Sequence, residues 1–391
     1  MKIRNVIVVG AGIGGLTAAI AFARRGVAVT VLEQATAIRE VGAGLQVSPN
    51  GLFVLRALGL EKRLLERGAV QGKAVVMRAH DSADELVRLD LSLLPPDQRY
   101  LFMHRADLID VLARAASEHN VSFEMGAQVQ DIEPGTTPKL TLTDGSTRRA
   151  ELIIGADGLH SRARIALNGD DDPFFTGQVA WRAMVPNTAG HANVAMVTMG
   201  PGRHLVSYPL RGGTLVNLVA VEERKSWAAE GWNHPDDAEN LKMAFAGWDG
   251  MAGELINAVK APTLWGLHRH PVAPVWQAGG VALLGDAAHP TLPFLAQGAN
   301  MAIEDAWVLA DHVLWGGVDA LPAYQNERRP RVARVIKAAE GNAWRFHLRP
   351  GPVRFAAHKV MGLGSRSAPR RMLGAFDWLY GVDVTARSLR S

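Results

Sequence analysis

Two hydrophobic rhythms divide the chain. Residues 3–9, 27–32, 150–154 and 281–284 are near-continuous apolar runs, the pattern of strands buried on both faces of a parallel sheet. Residues 178–185, 192–199, 203–210 and 214–221 alternate instead, as antiparallel strands with two unlike faces do. Helical stripes lie between. Leu16, Ala19, Ile20 and Ala23 recur at helix spacing, and Gly26 after Arg24-Arg25 supplies a stop. A second helix opens at Arg105 and carries Leu108, Ile109, Leu112 and Ala115 on one face; a third opens at Gln297 and runs through Met301, Asp305, Val308 and Leu309. Shorter strands are expected at 121–124, 127–132 and 139–143, with a turn at Asp144-Gly145.

Taken in order, these elements predict an α/β fold. A parallel-sheet lobe is assembled from residues 1–72, 98–170 and 276–345, a mostly antiparallel sheet covering the substrate is inserted as residues 73–97 and 171–275, and a helical segment follows at 346–391.

Candidate chemistry collects where the apolar runs end. Gly10 permits a tight turn after the first run, Gly12 lets backbone approach a pyrophosphate, and Gly15 allows close helix packing. The helix start offers N–H groups to phosphates, and Glu33, about 20 residues on, is placed to accept hydrogen bonds from a ribose. Asp157 in Gly155-Ala156-Asp157-Gly158 and Asp286 in Gly285-Asp286-Ala287 likewise deliver carboxylates to strand ends, where ligands of α/β sheets collect. A long dinucleotide is the shared expectation.

Composition narrows the class. The chain has 391 residues, 48% of them hydrophobic, with no run approaching the roughly 18 apolar residues of a membrane span. Its start lacks the pattern of a secretory signal, so a cytoplasmic location is expected. The formal charge of +4 gives little support to nucleic-acid binding. From Arg345 onward basic residues outnumber the acids Asp377 and Asp383 and interleave with Phe346, Phe355, Phe376, Trp378 and Tyr380; a cover over the core or a subunit contact is the expectation. There is no cysteine, hence no disulfide, thiolate metal site or thiol nucleophile. His268 and His270 have no carboxylates nearby, so no metal site is expected.

The three glycine- and acid-bearing segments, in this order and at these separations, resemble those of the group A FAD-dependent aromatic hydroxylases, over about residues 1–345. The resemblance implies a Rossmann-like, glutathione-reductase-like FAD domain. Gly10, Gly12, Gly15 and Glu33 match the ADP-binding motif, and Arg105 a helix-opening arginine that contacts FAD. Asp157-Gly158 with Ser161 and Arg164 looks like a fingerprint serving FAD and the nicotinamide nucleotide. Gly285-Asp286 with His289-Pro290, Pro293, Gln297-Gly298, Asn300 and Glu304-Asp305 looks like a third, whose aspartate binds the ribityl chain. The chain looks most similar to salicylate, 3-hydroxybenzoate and 6-hydroxynicotinate hydroxylases in two stretches. One, Gly42 to Asn50, resembles their flavin-edge loop; the other, Gly202 to Arg211, resembles the stretch whose histidine and tyrosine face the substrate ring. Arg39 and Thr291 depart from the pattern, and the halogenase signature is absent around Trp265-Gly266-Leu267.

The resemblance implies non-covalent FAD, NADH or NADPH as co-substrate, O2, and hydroxylation of a small aromatic carboxylate through a flavin C4a-hydroperoxide. No nucleic acid or membrane span is implied, and the protein is expected as a monomer or homodimer. His204 and Tyr208, four apart on a strand, share one face. Such a pair is often a hydrogen-bonded part of a core; with the resemblance, His204 becomes the base for a substrate hydroxyl, with Tyr208 and Gln297 orienting the ring. His289 is expected beside the flavin in a structural role, and Arg182, Arg203 and Arg211 are candidates for a substrate carboxylate. Three rivals remain: a nicotinamide-dependent dehydrogenase, a flavoprotein epoxidase acting on isoprenoids, and a non-enzymatic flavin-binding redox sensor.

Overall fold

The computed structural model describes residues 3–38, 43–82, 84–170, 172–225, 234–347, 351, 362, 365 and 367–386, with 342–345 by backbone alone. Arg39 and Gly42 of the flavin-edge stretch, and Phe355 and the Arg345 side chain of the basic tail, lie outside the described residues.

The apolar runs form one six-stranded sheet in the order Gln277–Ala278, Val281–Leu283, Leu152–Gly155, Asn5–Val9, Ala28–Glu33, Ser122–Met125, parallel except for its first pair. Register does the positioning. Val9 pairs with Gly155 and with Leu32, and Gly155 pairs with Leu283, so three strands far apart in sequence end level with one another. Backbone bonds continue just past the ends: Gly10 N–H donates to Leu32, Ala156 to Val9 and Leu284 to Gly155. Helix Ile13–Ala23 begins at this edge and packs against the long helix Gly298–Gly316. Gly14 lets them meet, since a Cβ there would stand 2.6 Å from Leu284 Cδ1 and 3.1 Å from the Ala302 methyl.

The alternating stretches form a second sheet of eight strands: His234–Pro235, Thr263–Arg269, Phe174–Pro186, Leu215–Glu223, Arg203–Leu210, Val194–Gly200, Ala74–Ala79 and Glu85–Asp90. All neighbours are antiparallel except Ala74–Ala79 beside Val194–Gly200. The fourth strand runs to Glu223, two residues beyond the alternation read from sequence. One face buries Trp181, Leu205 and Leu218 under helices Ala238–Ala244 and Gly250–Asn257. The opposite face carries His204 and Tyr208.

Two smaller sheets complete the frame: the meander Val129–Glu133, Lys139–Leu142, Thr147–Arg149, and a sheet of Gly44–Val47, Leu101–His104 and Val70–Gln71. Helix Leu321–Phe346 packs against Gly298–Gly316, and short helices Pro369–Gly374 and Asp377–Tyr380 fold back over the body. Buried Tyr380 stacks edge-on with Tyr100, and Arg331 bonds the carbonyls of Trp378 and Leu379, so this part of the basic tail covers the core.

Candidate active site

Gly10 has φ +101°, and a Cβ there would sit 2.5 Å from the Ala156 carbonyl; only glycine lets the first and second motif loops touch. At Gly12, by contrast, a Cβ would meet nothing within 4 Å, so the backbone faces open space at the mouth of a helix. That helix has no side-chain cap and no acid in its first turn, which leaves its leading N–H groups for an anion. The Glu33 carboxylate accepts from Ala11 N–H at 2.8 Å and Ala35 N–H at 2.9 Å, fixing it beside the glycine loop.

Asp286 follows a wholly buried strand and lies between buried Gly285 and Ala287, yet its own side chain is exposed: it lines a cleft. Its depth among protein atoms raises its pKa above the ordinary value, while the nearby charges of His289 and Arg105 pull the other way. The long helix Gly298–Gly316 also starts without a capping side chain or an acid in its first turn. An open phosphate-sized approach, an uncapped helix, a ribose-level carboxylate and a second carboxylate in a cleft fit the donor and acceptor pattern of FAD. Gly10, Gly12, Gly15, Glu33, Arg105 and Asp286 would hold it.

Other predicted residues make contacts within the protein. Asp157 is turned into its own loop, accepting from Ser161 Oγ at 2.5 Å and from the N–H groups of Arg162 and Ala163, so it braces the first turn of the helix Arg162–Asn168, which Ser161 caps. Burial raises its pKa against these bonds. Arg164 is buried and bonds the Pro271 carbonyl at 3.0 Å, with Ala287 and Ala288 at 3.5 Å, stitching the second motif to the third. Gly285 has φ +60° and donates its N–H to Asp305. Pro293 opens a short 3-10 turn, and a Cβ at Gly298 would stand 3.4 Å from the Thr291 methyl. His270 bonds the Leu159 carbonyl and His268 the Gly266 carbonyl.

Beneath the cleft lies a buried polar network that sequence reading missed. Gln297 donates to Ser48 Oγ at 2.9 Å and accepts from Asn50 at 3.1 Å; Asn300 accepts from Ser48 N–H and donates to Gln46 and Ala296 carbonyls. Both ends of both amides are therefore engaged, and both hold the flavin-edge stretch. Asn50 also donates to Glu304. Glu304 and Asp305 are fully buried and share Arg328 at 2.6 and 2.7 Å; Arg331 adds a second clamp on Glu304, and His289 bonds Asp305 at 2.5 Å. Against desolvation, His289 and Arg328 hold the Asp305 carboxyl down to about 2. Arg328 and Arg331 were findable: they sit three apart on a helix facing the only adjacent acids of another buried helical stripe.

On the inner face of the large sheet, His204 is 1% exposed and Tyr208 3%, and Tyr208 packs on Phe102 and on Gly44, where a Cβ would lie 2.7 Å from its ring. No described residue bonds the Tyr208 hydroxyl, whose pKa burial raises. Next to it, Asn217 accepts from Gly44 N–H at 2.6 Å, tying the sheet to the flavin-edge stretch. Val206, Val219, Met184 and Arg182 on this face are half-buried, and Val206 and Val219 pack against the cluster that holds Phe294 of the third motif. Arg182 lies over the Trp265 ring and acts electrostatically on Tyr208, whereas Arg203 pairs with Glu222 and Arg211 with Asp107. The His204 ring packs on Phe294 and Phe346 and meets His347, with Nδ1 to Nε2 at 2.7 Å; burial, then His347, holds its pKa well below the usual histidine value.

The FAD binding domain family matches residues 4–339. A 3-amino-4-hydroxybenzoate 2-monooxygenase of Streptomyces platensis is 35% identical, covering 97% of this chain and 96% of its own. A 3-hydroxybenzoate 6-hydroxylase of Polaromonas naphthalenivorans is 34% identical, covering 97% and 96%. The solved structure of a salicylate hydroxylase substrate complex superposes with a TM-score of 0.83 at 25% identity, over 99% of this chain and 98% of that one. The chain thus belongs to the FAD binding domain family and is an FAD-dependent monooxygenase of aromatic rings.

Proposed function

We propose that the chain hydroxylates a small phenolic or hydroxypyridine carboxylate, using NADH or NADPH and O2, with His204 as the base that takes the substrate hydroxyl proton. The observation that carries this reading is the inner face itself: a buried histidine with its pKa held low, a tyrosine hydroxyl without a partner among the described residues and an arginine share one face with half-buried apolar side chains beside the third motif. FAD, when bound, supplies the redox chemistry with nicotinamide nucleotide and O2. The chain's own part is to bind, orient and ionise the ring. A phenol of pKa about 10 is only ~0.1% ionised at pH 7, a deficit of roughly 4 kcal/mol, and a positioned base typically recovers about 10²- to 10⁴-fold.

Tyr208 donates or accepts at the ring, and Arg182, on the same face and close enough to act on Tyr208, takes the carboxylate. Gln297 acts by holding residues 46–50 in place. Residues 1–72, 98–170 and 276–345 form the FAD domain and residues 73–97 and 171–275 the substrate domain. The enzyme is a cytoplasmic monomer or homodimer; among the described residues no helix is long and apolar enough to cross a membrane. A panel of hydroxybenzoates and hydroxynicotinates, followed by NAD(P)H oxidation, product mass and H2O2, tests the substrate class. His204→Ala should cut hydroxylation about tenfold or more while FAD stays bound; unchanged turnover removes His204 from the chemistry.

A further inference from the structure

His204 does not end in the core. Its Nδ1 meets His347 Nε2 at 2.7 Å, and His347 Nδ1 meets Glu223 Oε1 at 2.7 Å. Burial changes along this line: His204 is 1% exposed, the His347 side chain 2%, and the Glu223 side chain 50%. Three groups from three elements therefore form an unbroken chain of hydrogen bonds from the inner face to solvent. His204 and Glu223 come from neighbouring strands and the same face, because His204 pairs with Val221 and Glu223 lies two residues further along. His347 follows directly on helix Leu321–Phe346, and Phe346 and Phe294 wall the histidine ring. The other acid at this strand end, Glu222, is engaged with Arg203 and Arg224.

The bonds also fix the tautomers. A carboxylate only accepts, so His347 carries its proton on Nδ1 toward Glu223. Neutral His347 then has a bare Nε2, which accepts from His204 Nδ1–H, and this leaves the lone pair of His204 on Nε2. No described residue bonds that nitrogen. We propose that His204, His347 and Glu223 form a proton relay that carries the substrate hydroxyl proton from the buried face to solvent. The proposal rests on the reading of His204 as the substrate base. When Nε2 takes the substrate proton, His204 Nδ1 gives one to His347 Nε2, His347 Nδ1 gives one to Glu223, and Glu223 releases it to water. Each ring gains one proton and loses one. Return of the tautomers resets the line, so no charge stays on the relay and the negative charge remains on the substrate oxygen as phenolate.

His347 and Glu223 act through His204, so their test needs readouts that a packing role would not move. On the FAD-loaded enzyme with ¹⁵N-labelled histidine, NMR should show His204 protonated at Nδ1 and bare at Nε2, and His347→Phe should abolish that preference. Stopped-flow mixing with 3-amino-4-hydroxybenzoate, following phenolate absorbance and a pH-indicator dye, should show proton release about tenfold or more slower in Glu223→Gln and His347→Phe. Glu223→Gln keeps an acceptor for His347, so its NMR pattern should stay as in the parent while release slows. A His204 protonated at Nε2 in the parent enzyme, or parent-like proton release in both variants, overturns the relay. If His204→Ala still ionises the acid at the parent rate, the base assignment fails. If the parent enzyme does not bind this acid, the substrate reading fails for it and the tautomer measurement still decides the relay.

Discussion

Replacing Arg328 by Met removes one guanidinium and keeps most of its stem, which makes it a sharp test of the buried network. Arg328 is 1% exposed, and its partners Glu304 and Asp305 are at 0%. Glu304 keeps Arg331 and Asn50, and Asp305 keeps His289 and the Gly285 N–H, so neither carboxylate is left bare. Each nevertheless loses its closest permanent cation in a fully buried site. Breaking a buried pair from one side typically costs about 3–5 kcal/mol. An unfolding entropy of about 2.1 cal/mol/K per residue over the 391 residues gives roughly 0.8 kcal/mol/K, so the Tm should fall by about 4–6 °C. The network holds residues 46–50 beside the cofactor cleft, so flavin fluorescence on release should shift with the protein's own unfolding signal. A thermal melt of the FAD-loaded protein, read by both signals, is the assay. If Arg328→Met melts within about 1 °C of the parent, the charges are not coupled as the distances require.

Other outcomes follow from the same geometry. Gly10→Ala should lower the flavin-to-protein absorbance ratio of the purified protein, because its Cβ meets the Ala156 carbonyl at 2.5 Å in a left-handed backbone. Tyr208→Phe should leave Tm unchanged, since its hydroxyl has no partner among the described residues, and lower kcat/KM by the worth of one hydrogen bond, about 0.5–1.5 kcal/mol; a large Tm loss with unchanged kcat/KM would reverse that assignment. Arg182→Met should raise KM for a carboxylate substrate roughly 10- to 150-fold, the range of a charge-assisted bond, and leave the KM of the matching decarboxylated phenol unmoved. Burial holds His204 well below the free-histidine value, so its base form persists as pH falls past about 6.5, and the acid limb of kcat/KM should lie below that value. The linkage has the opposite benefit for folding: in the unfolded chain this histidine protonates first, so its contribution to stability declines as pH falls from about 6.5 toward its lowered folded value.

Both sheets were legible because a single repeating cause wrote each of them. Burial on two faces made residues 3–9, 150–154 and 281–284 continuous, and burial on unlike faces made residues 203–210 alternate. The cleft edge was legible too, since glycine at position 10 and acids at 33 and 286 are backbone and strand-end requirements, visible without neighbours. What sequence could not show was which amides and acids turn inward. Asn300 and Gln297 sit in the matched motif but bond residues 46–50, about 250 positions away, and Asp157 bonds its own helix start. Local pattern says that a polar residue is present; only packing says which partner answers it. His347 shows the difference most clearly. In sequence it belongs to a basic, aromatic tail and reads as surface, yet the turn after helix Leu321–Phe346 places it between a buried base and an exposed carboxylate. Its meaning comes from the fold bringing position 347 to positions 204 and 223, and a change at any of the three should be felt at the other two.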